Sequence, residues 1–156
     1  MYEGKEEHRF YGTHAIKADE LKERGFFSRL IDILAVAPVV GFEYGRRAEK
    51  STQDDFDKAM FLSQLKKVDA QLELNYKTII LLDKEYENSE EERFKKAFQT
   101  SPEQRSPEDL ERYESYVRGG IDFLHEKLIG SGNTDYERLI EMHEFVESFS
   151  ERYSTN

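Results

Sequence analysis

The sequence contains no cysteine, which excludes disulfide bonds, thiolate catalysis and cysteine-ligated zinc sites. Long apolar runs are also lacking: the longest mostly apolar stretch, Leu30 to Phe42, is too short to span a bilayer and contains Asp32. The N-terminal stretch is charged and has no apolar centre of the kind found in secretory signals. We therefore expect a cytoplasmic protein that does not cross a membrane.

Basic residues are in the minority, with 23 Lys and Arg against 33 Asp and Glu and a net charge of −10. Because phosphate backbones bind through Lys and Arg, this balance disfavours non-specific nucleic-acid binding and leaves only a local basic patch open. The basic doublets stand isolated among acids: Arg46-Arg47, Lys66-Lys67 and Lys95-Lys96. Nucleic acid is thus not the expected partner.

The chain has 156 residues, which fits one domain. Hydrophobic residues make up 37% and charged residues 36%, a ratio that favours amphipathic helices with one wet face each. The sequence has neither a sustained alternation of apolar and polar residues nor an Asn-Gly hairpin signal, so no strand is predicted. We predict an all-α, single-domain antiparallel helical bundle of about five to six helices over residues 17–153, preceded by an irregular N-terminal arm, residues 1–16.

Several helix starts carry capping signatures, in which a hydroxyl is followed by an acid or by proline. These starts are Ser89 with Glu92, Ser106 followed by Pro107, and Thr134 with Glu137. A long helix is expected from Gln53 to about Glu85, capped by Thr52, because apolar residues recur there in steps of three, four or seven. Residues 130–133 predict the turn before the last helix.

The stretch from Phe26 to Lys50 is the most apolar part of the chain and is expected to organise the core. Pro38 predicts a helix end or a sharp kink, because it removes a backbone donor and clashes with the preceding turn. A second, looser helical piece should follow. Irregular backbone beside a core is where sites tend to lie, so we predict Tyr44, Arg46 and Arg47 as partner-binding residues.

Gly119-Gly120 interrupts an otherwise regular apolar stripe that begins at Leu110. Each glycine costs about 1 kcal/mol relative to alanine inside a helix. A close helix crossing and a kink are two explanations for keeping both glycines.

The four histidines do not form a recognisable metal motif. No pair has the zincin spacing, and the nearest approach to a di-iron repeat, Asp122 with His125, has aspartate in place of glutamate. Gly41 and Gly45 lack the spacing of a phosphate-binding loop. We expect neither a metal nor a cofactor.

An arginine followed at short distance by a histidine resembles the Arg/His pair of all-helical ribonucleases of the HEPN class. That resemblance implies that the histidine and arginine act on the RNA 2′-hydroxyl and the scissile phosphate. Arg118 with His125 is the preferred candidate catalytic pair, because it adjoins Gly119-Gly120. Two other pairs have a similar spacing: Arg138 with His143, and Arg9 with His14.

The leading functional hypothesis is a non-enzymatic protein-interaction or regulatory module that acts through helix faces and self-associates. Its basis is a surplus of apolar and aromatic faces beyond what one small bundle needs. A protein partner or a second copy would cover them. Two alternatives stay open: a metal-independent ribonuclease, and an acidic inhibitor that occupies a nucleic-acid-binding surface.

Overall fold

A computed structural model describes residues 7–51, 56–129, 134–152 and 154, the side chains of Asp135 and Arg138 excepted. Within them the chain forms seven α-helices and one two-stranded sheet. The strands are β1 (Glu7–Tyr11) and β2 (Asp57–Phe61), and the helices are α1 (Gly12–Glu23), α2 (Leu30–Glu43), α3 (Leu62–Leu65), α4 (Asp69–Leu82), α5 (Glu90–Phe94), α6 (Pro107–Leu128) and α7 (Asp135–Glu151). The predicted helical fold class is confirmed. No described helix is both long enough and apolar enough to cross a membrane.

The expectation that the chain has no strands was wrong. β1 pairs antiparallel with β2, with Glu7 opposite Phe61 and Tyr11 opposite Asp57. Phe10 and Met60 are buried beneath this pair. The pairing also takes residues 57–61 out of the long helix predicted from residue 53, so that helix was wrong as well. Strand β1 and the first turn of α1 lie within the predicted N-terminal arm, residues 1–16.

Helix α2 continues through Pro38, so the predicted helix end was wrong. Pro38 and the preceding Ala37 are buried, and the packing of this apolar helix outweighs one lost backbone hydrogen bond. The helix instead ends at Glu43, two residues before Gly45, whose φ of 61° suits glycine. The Arg46 amide donates to the Gly41 carbonyl at 2.7 Å and the Gly45 amide to Phe42 at 3.1 Å, which is the Schellman pattern. The second helical piece does not form, since residues 46–50 lie outside any helix.

Helices α2 and α6 cross at their glycines. A Cβ placed on Gly41 would lie 2.1 Å from the Tyr116 carbonyl oxygen, and one on Gly120 would lie 1.8 Å from that of Ala37. A Cβ on Gly119 would lie 2.1 Å from the Arg46 carbonyl oxygen, because the chain after α2 runs back over α6. The close crossing, and not the kink, accounts for Gly119-Gly120.

The predicted capping hydroxyls are confirmed. The side chains of Ser89, Ser106 and Thr134 each accept a hydrogen bond from the backbone amide three residues later. These bonds satisfy donors that a helix N-terminus leaves free. The predicted cap at Thr52 and the predicted turn at residues 130–133 lie outside the described residues.

A buried ion pair ties the end of α4 to α6. The Asp83 carboxylate accepts hydrogen bonds from the Arg112 guanidinium at 2.6 and 3.0 Å and from the Tyr116 hydroxyl at 2.9 Å. Burial alone would raise the pKa of Asp83, but these hydrogen bonds lower it below its usual value. This ion pair therefore fixes the end of α4 against α6.

Candidate functional site

Tyr44 attaches the last helix to the body of the protein. Its ring stacks on Phe123 with centroids 4.2 Å apart, and the Arg152 guanidinium lies over it, 4.3 Å from the ring centroid. Arg152 also lies 2.9 Å from the Glu43 carboxylate. The predicted partner-binding residue Tyr44 is therefore partly buried between α6 and the end of α7.

Arg46 and Arg47 are exposed on the surface beside Tyr44. Arg46 pairs with Glu126 at 2.8 Å and lies over the Phe123 ring. Arg47 lies 4.0 Å from the Glu85 carboxylate. Both guanidinium groups are accessible to a partner, and their role in binding stays a prediction.

An apolar groove runs between α2 and α7, and we call it the α2–α7 groove. Its volume is about 470 Å³. It is lined by Ala35, Val36, Val39, Val40, Gln71, Phe145, Val146 and Phe149. Gln71 is the one polar side chain in this lining. Val36 and Val146 remain 38% and 58% exposed, so the described chain does not cover the groove.

Helix α7 leaves several large apolar side chains exposed to solvent. Phe145 and Phe149 face the body, where both contact neighbouring aromatic rings. The rest of the helix exposes large apolar side chains: Tyr136, Leu139, Ile140 and Val146. Val146 belongs to both this exposed stripe and the α2–α7 groove, so the two apolar surfaces are continuous.

One of the two helices that form the groove is strongly acidic. In sequence, α7 carries six carboxylates and one arginine. Helix α2 carries two carboxylates and no base, and these pair with arginines outside it, Asp32 with Arg29 and Glu43 with Arg152. The groove is thus an apolar channel with the acidic helix α7 along one side.

Arg118 and His125, the candidate catalytic pair, do not share a site. They lie seven residues apart on α6, which places them roughly 10 Å apart along the helix axis. The Arg118 guanidinium donates to the Ala48 carbonyl at 2.8 Å and pairs with Glu111. His125 pairs with Glu20 of α1 at 2.5 Å. The side chain of Arg138, from the second pair of similar spacing, lies outside the described residues.

Arg118 instead lines a cleft beneath the two-stranded sheet, which we call the β1–α6 cleft. Its volume is about 340 Å³. The lining residues are Glu7, His8, Arg9, Phe10, Tyr11, His14, Lys50, Ser51, Glu111, Glu114, Val117 and Arg118. The structure therefore brings Arg118 into one cleft with His8 and His14, and not with His125.

His14 is held from behind by two charged residues. Its Nε2 lies 3.5 Å from the Asp122 carboxylate, which also accepts a hydrogen bond from the Lys17 ammonium at 2.7 Å. Burial alone would raise the pKa of Asp122, but hydrogen bonds from His14 and Lys17 lower it to about 2. Asp122 is therefore an ionised carboxylate that orients the imidazole.

Sequence reasoning did not single out His14 as a site residue. It placed His8 and His14 in an irregular arm, and the contact between His14 and Asp122 joins residues 108 positions apart in the sequence. The one signal that touched this residue was the Arg9–His14 spacing. Arg9, however, pairs its guanidinium with Glu7 and Asp57 on the two strands of the sheet.

No group of three or more His, Asp or Glu side chains among the described residues is arranged to hold a metal ion. Comparisons of the chain with models of protein families, with curated proteins and with solved structures found no match. Function is therefore inferred from the α2–α7 groove and the β1–α6 cleft.

Proposed function

We propose that this protein is an interaction module that binds a basic amphipathic helix of a partner protein in the α2–α7 groove. The observation that carries this proposal is an open apolar groove between two helices that together hold eight carboxylates and one arginine. An exposed apolar surface of this kind is typical of a protein-binding site.

The spacing of the groove residues suits a helical ligand. Val36, Val39 and Val40 stand at i, i+3 and i+4 on α2, and Phe145 and Phe149 stand at i and i+4 on α7. A third helix laid along this pair would insert its own i, i+3, i+4 and i+7 side chains between the two rows. This arrangement is the helix-in-groove mode of recognition.

Charge selects the sign of the partner. A ligand helix with Lys and Arg flanking its apolar face meets the carboxylates of α7, which speeds association and fixes orientation. A second copy of this chain would instead bring one acidic α7 against another, and like charges at an interface cost binding free energy. We therefore choose a basic partner helix over the self-association expected from the sequence.

Synthetic peptides provide the test. The first peptide carries leucine at i, i+3, i+4 and i+7 with lysine and arginine elsewhere. The second keeps the leucines and replaces every base by glutamate, and the third has the composition of the first in scrambled order. We expect the basic peptide alone to bind, as measured by fluorescence anisotropy, with an affinity that falls as salt rises.

Variants locate the binding site. Val36→Glu and Val146→Glu place a charge in the groove and should weaken binding at least tenfold. The matched control is Leu82→Glu, which changes an exposed apolar residue on α4 that does not line the groove. Equal binding of the acidic peptide, or unchanged binding by both groove variants, would contradict the proposal.

Light scattering on the free protein tests whether a second copy of the chain occupies the groove. We expect a monomer across micromolar concentrations. A dimer that Val146→Glu converts to monomer would show that a second copy covers the groove, as the sequence analysis expected, and would overturn the choice of a foreign helix.

A further inference from the structure

The β1–α6 cleft contains an unsatisfied polar atom. His14 has only 7% of its side chain exposed, and its Nδ1 has no hydrogen-bond partner. A buried polar atom without a partner costs roughly 1–3 kcal/mol. Because His14 lines the cleft, a ligand or an ordered water there is a candidate partner for this atom.

The environment of His14 determines what that ligand must offer. Nε2 faces the carboxylate of Asp122, which leaves Nδ1 as the ring nitrogen for a ligand to bond. A hydroxyl both donates and accepts hydrogen bonds, so a ligand hydroxyl suits this atom.

Cations line the same cleft. Arg118 reaches it from α6, and Lys50 lies at its edge, 4.8 Å above the Tyr11 ring. Among the described residues Lys50 contacts no carboxylate within salt-bridge distance. Arginine and lysine in the lining of one cleft are suited to a phosphate group, which takes several charged hydrogen bonds.

Carboxylates limit how much negative charge the cleft accepts. Glu111 pairs with Arg118, and Glu114 lies 3.8 Å from His8. Glu7, paired with Arg9 at 2.6 Å, also lines the cleft. The described lining thus holds three acids and three bases and offers no net attraction to a polyanion such as RNA.

We propose that the β1–α6 cleft binds a small hydroxylated phosphate ester, a sugar phosphate or a mononucleotide, with Arg118 and Lys50 on its phosphate and His14 Nδ1 hydrogen-bonded to its hydroxyl. The volume of about 340 Å³ lies at the lower end of the range for small-molecule sites. This site is independent of the α2–α7 groove, so either proposal can fail alone.

Calorimetric titration of the purified chain tests the proposal with four probes. Ribose 5-phosphate and adenosine monophosphate carry both groups, whereas inorganic phosphate and ribose carry one each. We expect binding of at least one of the two esters, tighter than of phosphate or ribose by about tenfold or more. The two esters distinguish a sugar-phosphate site from a mononucleotide site.

Variants assign the contacts. Arg118→Gln and Lys50→Gln should each weaken ester binding several-fold, and His14→Gln should remove the advantage of the ester over phosphate. Lys50 is exposed, so its variant keeps the fold even if His14→Gln does not. The matched control is His125→Gln, which lies on α6 outside the cleft and should leave binding unchanged.

Two results would overturn the proposal. One is the absence of millimolar or tighter binding by either ester. The other is ester binding that Arg118→Gln and Lys50→Gln both leave intact, which would place the ligand elsewhere on the protein.

Discussion

A methyl group on Gly120 would lie 1.8 Å from the carbonyl oxygen of Ala37. That distance is far inside van der Waals contact, so the backbones of α2 and α6 approach as closely as they do only because this position lacks a side chain. The crossing sets the position of α2, and α2 in turn forms one wall of the α2–α7 groove. The glycine pair therefore bears on function as well as on stability.

Gly120→Ala should destabilise the protein. Alanine favours a helix by about 1 kcal/mol over glycine, but the added methyl forces α2 and α6 apart, which costs about 1–3 kcal/mol and occasionally more. Because the clash is with backbone, the cost should lie at the upper end of that range or above it. We expect a net loss of about 2 kcal/mol or more in the free energy of unfolding, measured by urea denaturation.

Gly45→Ala is the control for Gly120→Ala. Gly45 has a φ of 61° but nothing within 4 Å of an added Cβ, so its cost of about 1 kcal/mol comes from backbone conformation alone. A Gly120→Ala variant that is as stable as the natural chain would show that the crossing is looser than described.

Asp122 predicts a pH dependence of stability. Its pKa is about 2 in the folded protein and about 3.9 in an unfolded chain. A lowered pKa means that the contribution is complete above pH 4 and is lost as the pH falls through 2. We expect Asp122→Asn to cost about 1–2 kcal/mol at pH 7 and progressively less between pH 4 and 2, measured by thermal or urea unfolding.

Glu126→Gln is the charge-matched control for Asp122→Asn. Glu126 pairs with Arg46 on the surface, with half of its side chain exposed, and such pairs contribute less than about 1 kcal/mol. A cost of Asp122→Asn that stays constant from pH 5 to 2 would contradict the assigned role of the carboxylate.

The ribonuclease alternative makes a separate prediction about Arg118 and His125. A catalytic pair would lose activity equally in Arg118→Ala and His125→Ala. Because the two side chains lie about two helical turns apart on different partners, we expect labelled RNA to decay at the same rate with the natural chain and with His125→Ala. Equal loss of cleavage in both variants would restore the pair as a catalytic unit.

Arg152 is predicted to hold α7 against the body. Arg152→Ala removes the guanidinium from the Tyr44 ring and from Glu43, contacts that contribute about 1 kcal/mol or less each. We expect hydrogen exchange of α7 amides to accelerate roughly tenfold, with the amides of α6 unchanged.

The control for Arg152→Ala is Arg29→Ala, which removes an exposed arginine paired with Asp32 at the start of α2. It should leave exchange in α7 unaffected. Faster exchange in every helix of Arg152→Ala would mean that the residue acts on global stability and not on the attachment of α7.

The helical class and the helix caps follow from the sequence because both depend on local chemistry. Ser106 and Pro107 stand next to each other and begin a helix wherever the chain folds. The register between His8 and Met60 depends on residues 52 positions apart, and no local pattern encodes it. The helix end predicted at Pro38 was wrong for a related reason. Proline does destabilise a helix locally, but the packing of α2 against α6 keeps the helix continuous.

Among the candidate sites, too, local sequence signals marked some residues and missed those that depend on distant contacts. Tyr44, Arg46 and Arg47 drew attention because proline and glycine surround them, and the structure places them in a turn beside α6. His14 gave no such signal, because it meets Asp122 and shares a cleft with Arg118 only after α1 packs on α6. The α2–α7 groove also escaped the sequence, since its two walls lie more than a hundred residues apart.

Amide chemical-shift mapping tests the central claim most directly. The ¹⁵N-labelled chain is titrated with the basic amphipathic peptide, and each backbone amide is followed by two-dimensional NMR. Binding in the α2–α7 groove predicts the largest shifts at Val36, Val39 and Val146 and along α7, with the signals of α1 and the two-stranded sheet unchanged. Shifts confined to the sheet and α1, or no shifts at saturating peptide, would contradict the proposed function.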